Sequence, residues 1–168
     1  MTHDQGEALA LSHEIAVMSE GRIVQVGAPR DIYNRPASKF VADFIGTTNF
    51  LDGKVRRFDQ DAARFRIATG LGDMLVEAHA HFSDGAPVSV CIRPEDIGLS
   101  DREGTPDGVS NIYKGKVNAT VFLGDVMDVQ ILVGETLLQA RTHPSLRTGE
   151  GEAIYLRVPV EKCVAIGL

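Results

Sequence analysis

This 168-residue chain has no phosphate-binding loop: Gly53-Lys54 and Gly115-Lys116 are each followed by Val, where a G-x-x-x-x-G-K-[ST] cradle needs Ser or Thr. No apolar stretch approaches the ~20 residues that span a bilayer, and no charged-then-apolar leader opens the chain, so direct membrane insertion is not expected. Basic runs are also missing, the longest being Arg56-Arg57, and with a net charge of −6 this argues against a partner that is nucleic acid. Aromatic residues make up only 6%, too few to stack successive bases. Cysteine is limited to Cys91 and Cys163, both in strand-like sequence without metal-ligand spacing, which suits reduced core thiols in a cytosolic protein. Nor does any Ser, His and Asp arrangement stand out, and Asp125 with Asp128 is too commonplace a pair to suggest glycosidase chemistry.

What is present is an ordinary soluble composition, 43% hydrophobic and 24% charged, enough for one domain or a small domain with an appendage. Residues 1–47 read as a short α/β segment. Thr2 and Gln5 have capping-box spacing, which predicts a helix through about Leu11 with His3 at its N-terminal end, a place that favours anions. Ile15 and Val17, then Ile23, Val24 and Val26, flank Glu20-Gly21 as a hairpin. Pro29 opens a second helix that Pro36 ends. Ser38 caps a third, with Phe40, Val41, Phe44 and Ile45 on one face and Gly46 as its stop.

From residue 48 the hydrophobic period changes to two. Strands are expected at 50–58, 64–69, 74–80, 88–93, 111–123, 125–133, 136–142, 153–159 and 164–166, separated by Gly- and Asp-rich breakers. Many short strands predict a small barrel or sandwich, and the polar stretch 100–110 reads as a loop between two halves. Each half opens alike: Phe50-Leu51-Asp52-Gly53-Lys54-Val55 is echoed by Ile112-Tyr113-Lys114-Gly115-Lys116-Val117, as two related lobes would be.

Two constellations bear on chemistry. Glu77, His79 and His81 alternate along one expected strand, so their side chains share a face that could hold zinc with a fourth ligand from elsewhere. An exposed polar strand face is the preferred reading, and no metal site is assigned. Arg93 and Glu95 flank Pro94, which extends the backbone at Arg93 and suits an ion pair or backbone contact better than catalysis.

The opening block Met1-Thr2-His3-Asp4-Gln5-Gly6-Glu7-Ala8-Leu9-Ala10-Leu11-Ser12, with Ser19-Glu20-Gly21-Arg22-Ile23-Val24-Gln25-Val26-Gly27, resembles the switch-histidine segment of ABC transporter ATPases. The resemblance continues through Gly27–Pro36, with Ala28 where the family often has a hydroxyl-bearing cap, and through Phe40–Gly46. Thr47–Val55, Val90-Cys91-Ile92-Arg93-Pro94-Glu95-Asp96-Ile97-Gly98-Leu99 and Phe122-Leu123-Gly124 resemble the OB-like TOBE domain appended to importer ATPases. Gly46-Thr47-Thr48-Asn49-Phe50-Leu51 is closer to the polyamine and ferric-iron branch than to the sugar branch, which usually carries Pro-x-Met before the Asn.

This resemblance implies a mainly β fold: a short α/β ATPase remnant at 1–47 and an OB-like (TOBE) two-lobed small barrel at 48–168. It also implies a regulatory or dimerising part of an importer subunit, at the inner face of the membrane through permease subunits. His3 is then the catalytic switch residue that contacts the γ-phosphate of ATP in the intact subunit. ATP and Mg belong to that parent, and neither a cofactor nor enzymatic activity is expected of these residues alone. A stand-alone OB-like module binding a small oxyanion or polyamine is the alternative.

Overall fold

The computed structural model describes residues 5–59 and 63–168. His3 and Thr2 therefore lie outside the described residues. The N-terminal part begins with α1 (Gln5–Leu11), followed by a hairpin of β1 (Ile15–Ser19) and β2 (Arg22–Gly27). Both turn residues of this hairpin, Glu20 and Gly21, have positive φ (49° and 75°), the twist that joins two strands tightly. Next comes α2 (Pro29–Asn34), which starts at Ala28 without a side-chain cap and relies on Pro29 at its first position. The last helix, α3 (Lys39–Ile45), is capped by Ser38, whose Oγ accepts from the Val41 amide at 3.3 Å. Val17, Ile32, Val41 and Ile45 form a small core of their own among these elements.

The expected apolar stripe on α3 divides. Val41 and Ile45 are buried, while Phe40 and Phe44 stay 42% exposed and stack on each other at 5.6 Å. Gly46 does not end the helix through a left-handed turn. Its φ of 164° is ordinary extended backbone.

The remainder is β. Strands β3 (Asn49–Asp59), β4 (Arg64–Thr69), β5 (Gly72–Glu77), β6 (Pro87–Ile92) and β7 (Gly98–Ser100) come from the first half. The second half supplies β8 (Ser110–Phe122), β9 (Met127–Val133), β10 (Thr136–Thr142), β11 (Ala153–Pro159) and β12 (Val164–Gly167). A closed barrel runs β12-β5-β4-β3-β6, and a five-stranded sheet runs β10-β9-β8-β11-β7. Each lobe thus takes its last strand from the other half. The expected two-lobed OB-like barrel is correct, but this exchange was not foreseen.

Two details explain the sequence echo. In β3, Gly53 faces β4 so closely that a Cβ would sit 2.4 Å from the Ala68 carbonyl oxygen and 3.0 Å from Ile67 Cγ2. In β8, a Cβ on Gly115 would sit 2.6 Å from Ile131 Cγ2 and 3.0 Å from the Leu132 carbonyl oxygen. Past each glycine the register slips by one residue, between Val55 and Arg57 in β3 and between Val117 and Ala119 in β8. A bulge and a side-chain-free close approach bend both long strands around their lobes.

Three differences from expectation have identifiable causes. Strand β5 stops at Glu77, not Ala80, because its partner β4 begins at Arg64, which pairs with Glu77. Strand β9 starts at Met127 because Leu123–Val126 forms a turn, with Gly124 at φ 97° and the Leu123 amide donating to the Val126 carbonyl at 2.9 Å. Residues 98–100, of which only Ser100 was assigned by sequence (to the inter-half loop), pair with Arg157–Tyr155 of β11 as strand β7.

Candidate functional site

The junction between the lobes is built from matching parts. β3 begins with a buried asparagine, Asn49, and β8 has one at its second residue, Asn111; they are 9% and 8% exposed. The Asn49 amide accepts from the Gln139 backbone N–H at 2.7 Å and donates to the Gln139 carbonyl at 2.8 Å, reaching β10 in the other lobe. Asn111 does the same to Leu75 of β5, with both distances 2.8 Å. Each side chain imitates one residue of a neighbouring strand and satisfies edge groups that would otherwise be buried unpaired. After β6 and β11 come single 3₁₀ turns, Pro94–Asp96 and Val160–Lys162. The third residues of these turns, Asp96 and Lys162, pair with each other at 3.1 Å and so join the two turns directly.

Arg93, just before the first of these turns, is the most heavily engaged polar side chain in the junction. It is 6% exposed. Its Nη1 lies 2.9 Å from the Ala42 carbonyl, 2.8 Å from Gly46 and 3.1 Å from Thr47, and also contacts the Thr48 hydroxyl. Nη2 reaches the Tyr33 carbonyl at 3.3 Å. Two hydrogens on Nη1 serve four acceptors, so these bonds are shared. The guanidinium also lies 4.2 Å from the centre of the Tyr33 ring. The Tyr33 hydroxyl bonds Glu95, and burial followed by that carboxylate pushes the phenol up to about 12. A Cβ on Gly46 would stand at ordinary contact distance, 3.4 Å from the Tyr33 ring and 3.5 Å from Arg93, so a side chain larger than a methyl there would press on this slot.

Beside this node is a polar cleft of about 260 Å³, bounded by residues 31 and 33–36 on one side and by Cys91, Arg93, Asp96 and Lys162 on the other. Mixed charge lines it. Cys91 in its lining is 5% exposed, and burial pushes its thiol up to about 12, which slows its reaction at neutral pH while it stays covered. Across the node, Asp128 is held by Arg141 at 2.7 and 3.0 Å, and this guanidinium keeps its carboxyl below the usual range. Asp52 is lowered likewise by Lys39 at 2.7 Å and Ser89 at 2.7 Å. Arg93, Glu95, Asp96, Lys162, Asp128 and Asp52 are thus each tied to a partner, and what the arrangement does is hold two bodies of chain together.

Sequence-expected residues fare differently. Glu77, His79 and His81 do not share a strand face, because β5 ends at Glu77 and both histidines follow it outside the strand. Glu77 and His79 pair at 3.4 Å, and no cluster of three or more metal-ligating side chains occurs among the described residues. Arg93 makes the expected backbone contacts, whereas Glu95 goes to Tyr33. Cys91 and Cys163 are both free and buried. Sequence reasoning missed Tyr33, the Asp96–Lys162 pair and the two asparagines. The asparagines had a signal: each stands one residue before the echoed segment.

Comparison with known proteins adds to this geometry. Residues 90–166 match the TOBE domain family. The chain is 40% identical to the "Spermidine/putrescine import ATP-binding protein PotA" of Chromobacterium violaceum over 146 residues, covering 86% of this chain and 40% of that protein. It is 46% identical to the protein of that name from Pseudomonas aeruginosa over 129 residues, covering 75% of this chain and 34% of the relative. The corresponding Nostoc protein is 38% identical over 173 residues, covering 99% of this chain and 44% of its own length. The chain therefore spans about two fifths of the length of the relatives it matches. A crystal structure of the cytoplasmic molybdate-binding protein ModG superposes with a TM-score of 0.65 at 15% identity, covering 71% of this chain and 96% of ModG, a likeness of fold.

Proposed function

The chain belongs with the ATP-binding subunits of ABC importers, whose TOBE-bearing C-terminal part it represents, and from that premise we propose that it is the regulatory and dimerising portion of a polyamine-type importer. On this reading residues 1–47 are the tail of the ATPase domain and residues 48–168 the regulatory β domain. The β domains of two subunits hold the ATPase pair together, permease subunits carry the solute across the membrane, and the assembly works at the cytoplasmic face. His3 contacts the γ-phosphate in the intact subunit, where ATP and Mg are held by elements outside these 168 residues. Alone the chain turns over no ATP, because positioning and charge neutralisation of the phosphates come from those elements.

The observation that carries the reading is the 40% identity to a spermidine/putrescine import ATP-binding protein along 86% of the chain. A transplant tests it. The corresponding C-terminal part of the Pseudomonas aeruginosa relative is replaced by this chain, and spermidine uptake and ATP hydrolysis are measured together. Retention of both is expected. ATP hydrolysis that persists without uptake in a correctly assembled transporter argues against a coupling role in a polyamine system.

A further inference from the structure

We propose that Arg93 is the central latch: with the Tyr33–Glu95 and Lys39–Asp52 pairs beside it, its guanidinium ties α2 and α3 to the β domain, so that residues 5–47 ride on it as one body, and releasing it opens the adjacent cleft. The covalent link between the two bodies is only the short extended segment at Gly46–Thr48. Their apolar contact is small, consisting of Ala42, Cys91 and Ile166 with the partly buried Phe50 and Val164. The N-terminal body has its own core around Ile32 and Val41. Two bodies joined this sparingly move relative to each other by default, so something other than apolar area must fix them.

Arg93 has the required properties. It is 6% exposed, and it donates to backbone carbonyls of the other body and to the Thr48 hydroxyl of the linking segment. Those carbonyls include Ala42 in the last turn of α3 and Gly46 just beyond it, where an α-helix leaves its acceptors unpaired and the backbone dipole favours a cation. With Gly46 extended, α3 has no left-handed terminus, and Arg93 closes the helix from outside its own segment. A second rung comes from the same 3₁₀ turn, where Glu95 receives the Tyr33 hydroxyl beneath the guanidinium. A planar fork that donates in several directions and stacks on a ring is specific to arginine, so lysine substitutes only in part. Cleft width depends on this node, because residues 33–36 form one wall and Arg93 the other.

The two cysteines supply the readout. Cys91 lies under Ala42 at the cleft, whereas Cys163 is 0% exposed in the main β core. Alkylation of each thiol by N-ethylmaleimide is followed by mass spectrometry in the native chain, Arg93→Gln and Arg93→Lys, with hydrogen exchange measured in parallel. Arg93→Gln is expected to speed Cys91 labelling and amide exchange in 29–47 by about tenfold or more, with Cys163 and the β8–β11 amides unchanged and Arg93→Lys in between. Unchanged Cys91 labelling, or equal acceleration of both cysteines, overturns the latch. Should Arg93→Gln fail to fold, Gly46→Val leaves the guanidinium intact and wedges the slot. The same selective pattern supports the latch there, and its absence overturns it.

Discussion

The two lobes follow one path but are finished differently. Lobe one closes into a barrel because β12, after pairing with β6, also meets β5 at Val164↔Glu77. Lobe two stays a five-stranded sheet: β7 pairs with β11, and β10 and β7 remain its edges. Lobe one also carries α3 against β3, β6 and β12, while lobe two leaves Val121, Phe122 and Leu123 at 53%, 69% and 52% exposure. What is the same in both is backbone control: a glycine in close approach, a bulge, a glycine with positive φ (Gly85 and Gly151), and an asparagine clamp. Solvent-facing chemistry has diverged around it. The register pair Asp128↔Arg141 in lobe two is a two-bond ion pair, while its counterpart Arg64↔Glu77 in lobe one has reversed charges and sends Arg64 to the Gly108 carbonyl and Glu77 to His79.

The glycines give the largest expected effects. Gly53→Ala drives a Cβ against a backbone oxygen, which cannot rotate away, and should cost about 3 kcal/mol; Gly115→Ala first meets the Ile131 side chain, which can shift, and should cost about 2 kcal/mol. Urea unfolding of both variants checks this, and the reverse order would mean that lobe two is the less yielding framework. The asparagine clamps come next. Asn49→Ala and Asn111→Ala each strand a backbone N–H and C=O, costing about 2 kcal/mol apiece. Asn49 should lose more, because it also donates to the Ile92 carbonyl at 3.2 Å.

The smallest effect is the most selective. Arg141 depresses the Asp128 carboxyl, so its stabilisation is complete above the unfolded value near pH ~3.9 and is lost as pH falls through the lower folded one. Asp128→Asn should remove that acid-side dependence: at a partly exposed site it costs under about 1 kcal/mol at pH 7, where the native pair is intact, and the two chains converge in stability as pH falls through the folded value. Thermal melts from pH 7 downward in native and variant chains make the comparison, and superimposable pH profiles would show that the pair contributes nothing.

Most strands were legible because one face of each is buried and the apolar residues alternate, as in Ile154, Leu156 and Val158 of β11. The hairpin at Glu20-Gly21 and the caps at Pro29 and Ser38 were legible because their chemistry is local. Strand β7 was not. Three residues are too few to show a period, and their strand character exists only through β11, far along the chain. The asparagines were hidden for a related reason: Asn at a strand boundary reads as a breaker, and nothing local reveals that its amide is aimed at another lobe. Arg93 was singled out with the correct kind of partner, but not the identity of those carbonyls, since they belong to a helix end that sequence treated as already stopped by Gly46. His3 lies outside the described residues, so its role stays with the proposal.

The exchange of terminal strands has a consequence for biosynthesis. A ribosome delivers β3 to β6 early, but the staves of that first barrel cannot be hooped until Val164–Gly167 emerge. During translation of the intervening 71 residues (93–163) the nascent first lobe has an unfinished seam at β5 and β6, and the interval between its synthesis and its closure is where a chaperone or a slow codon has the greatest leverage.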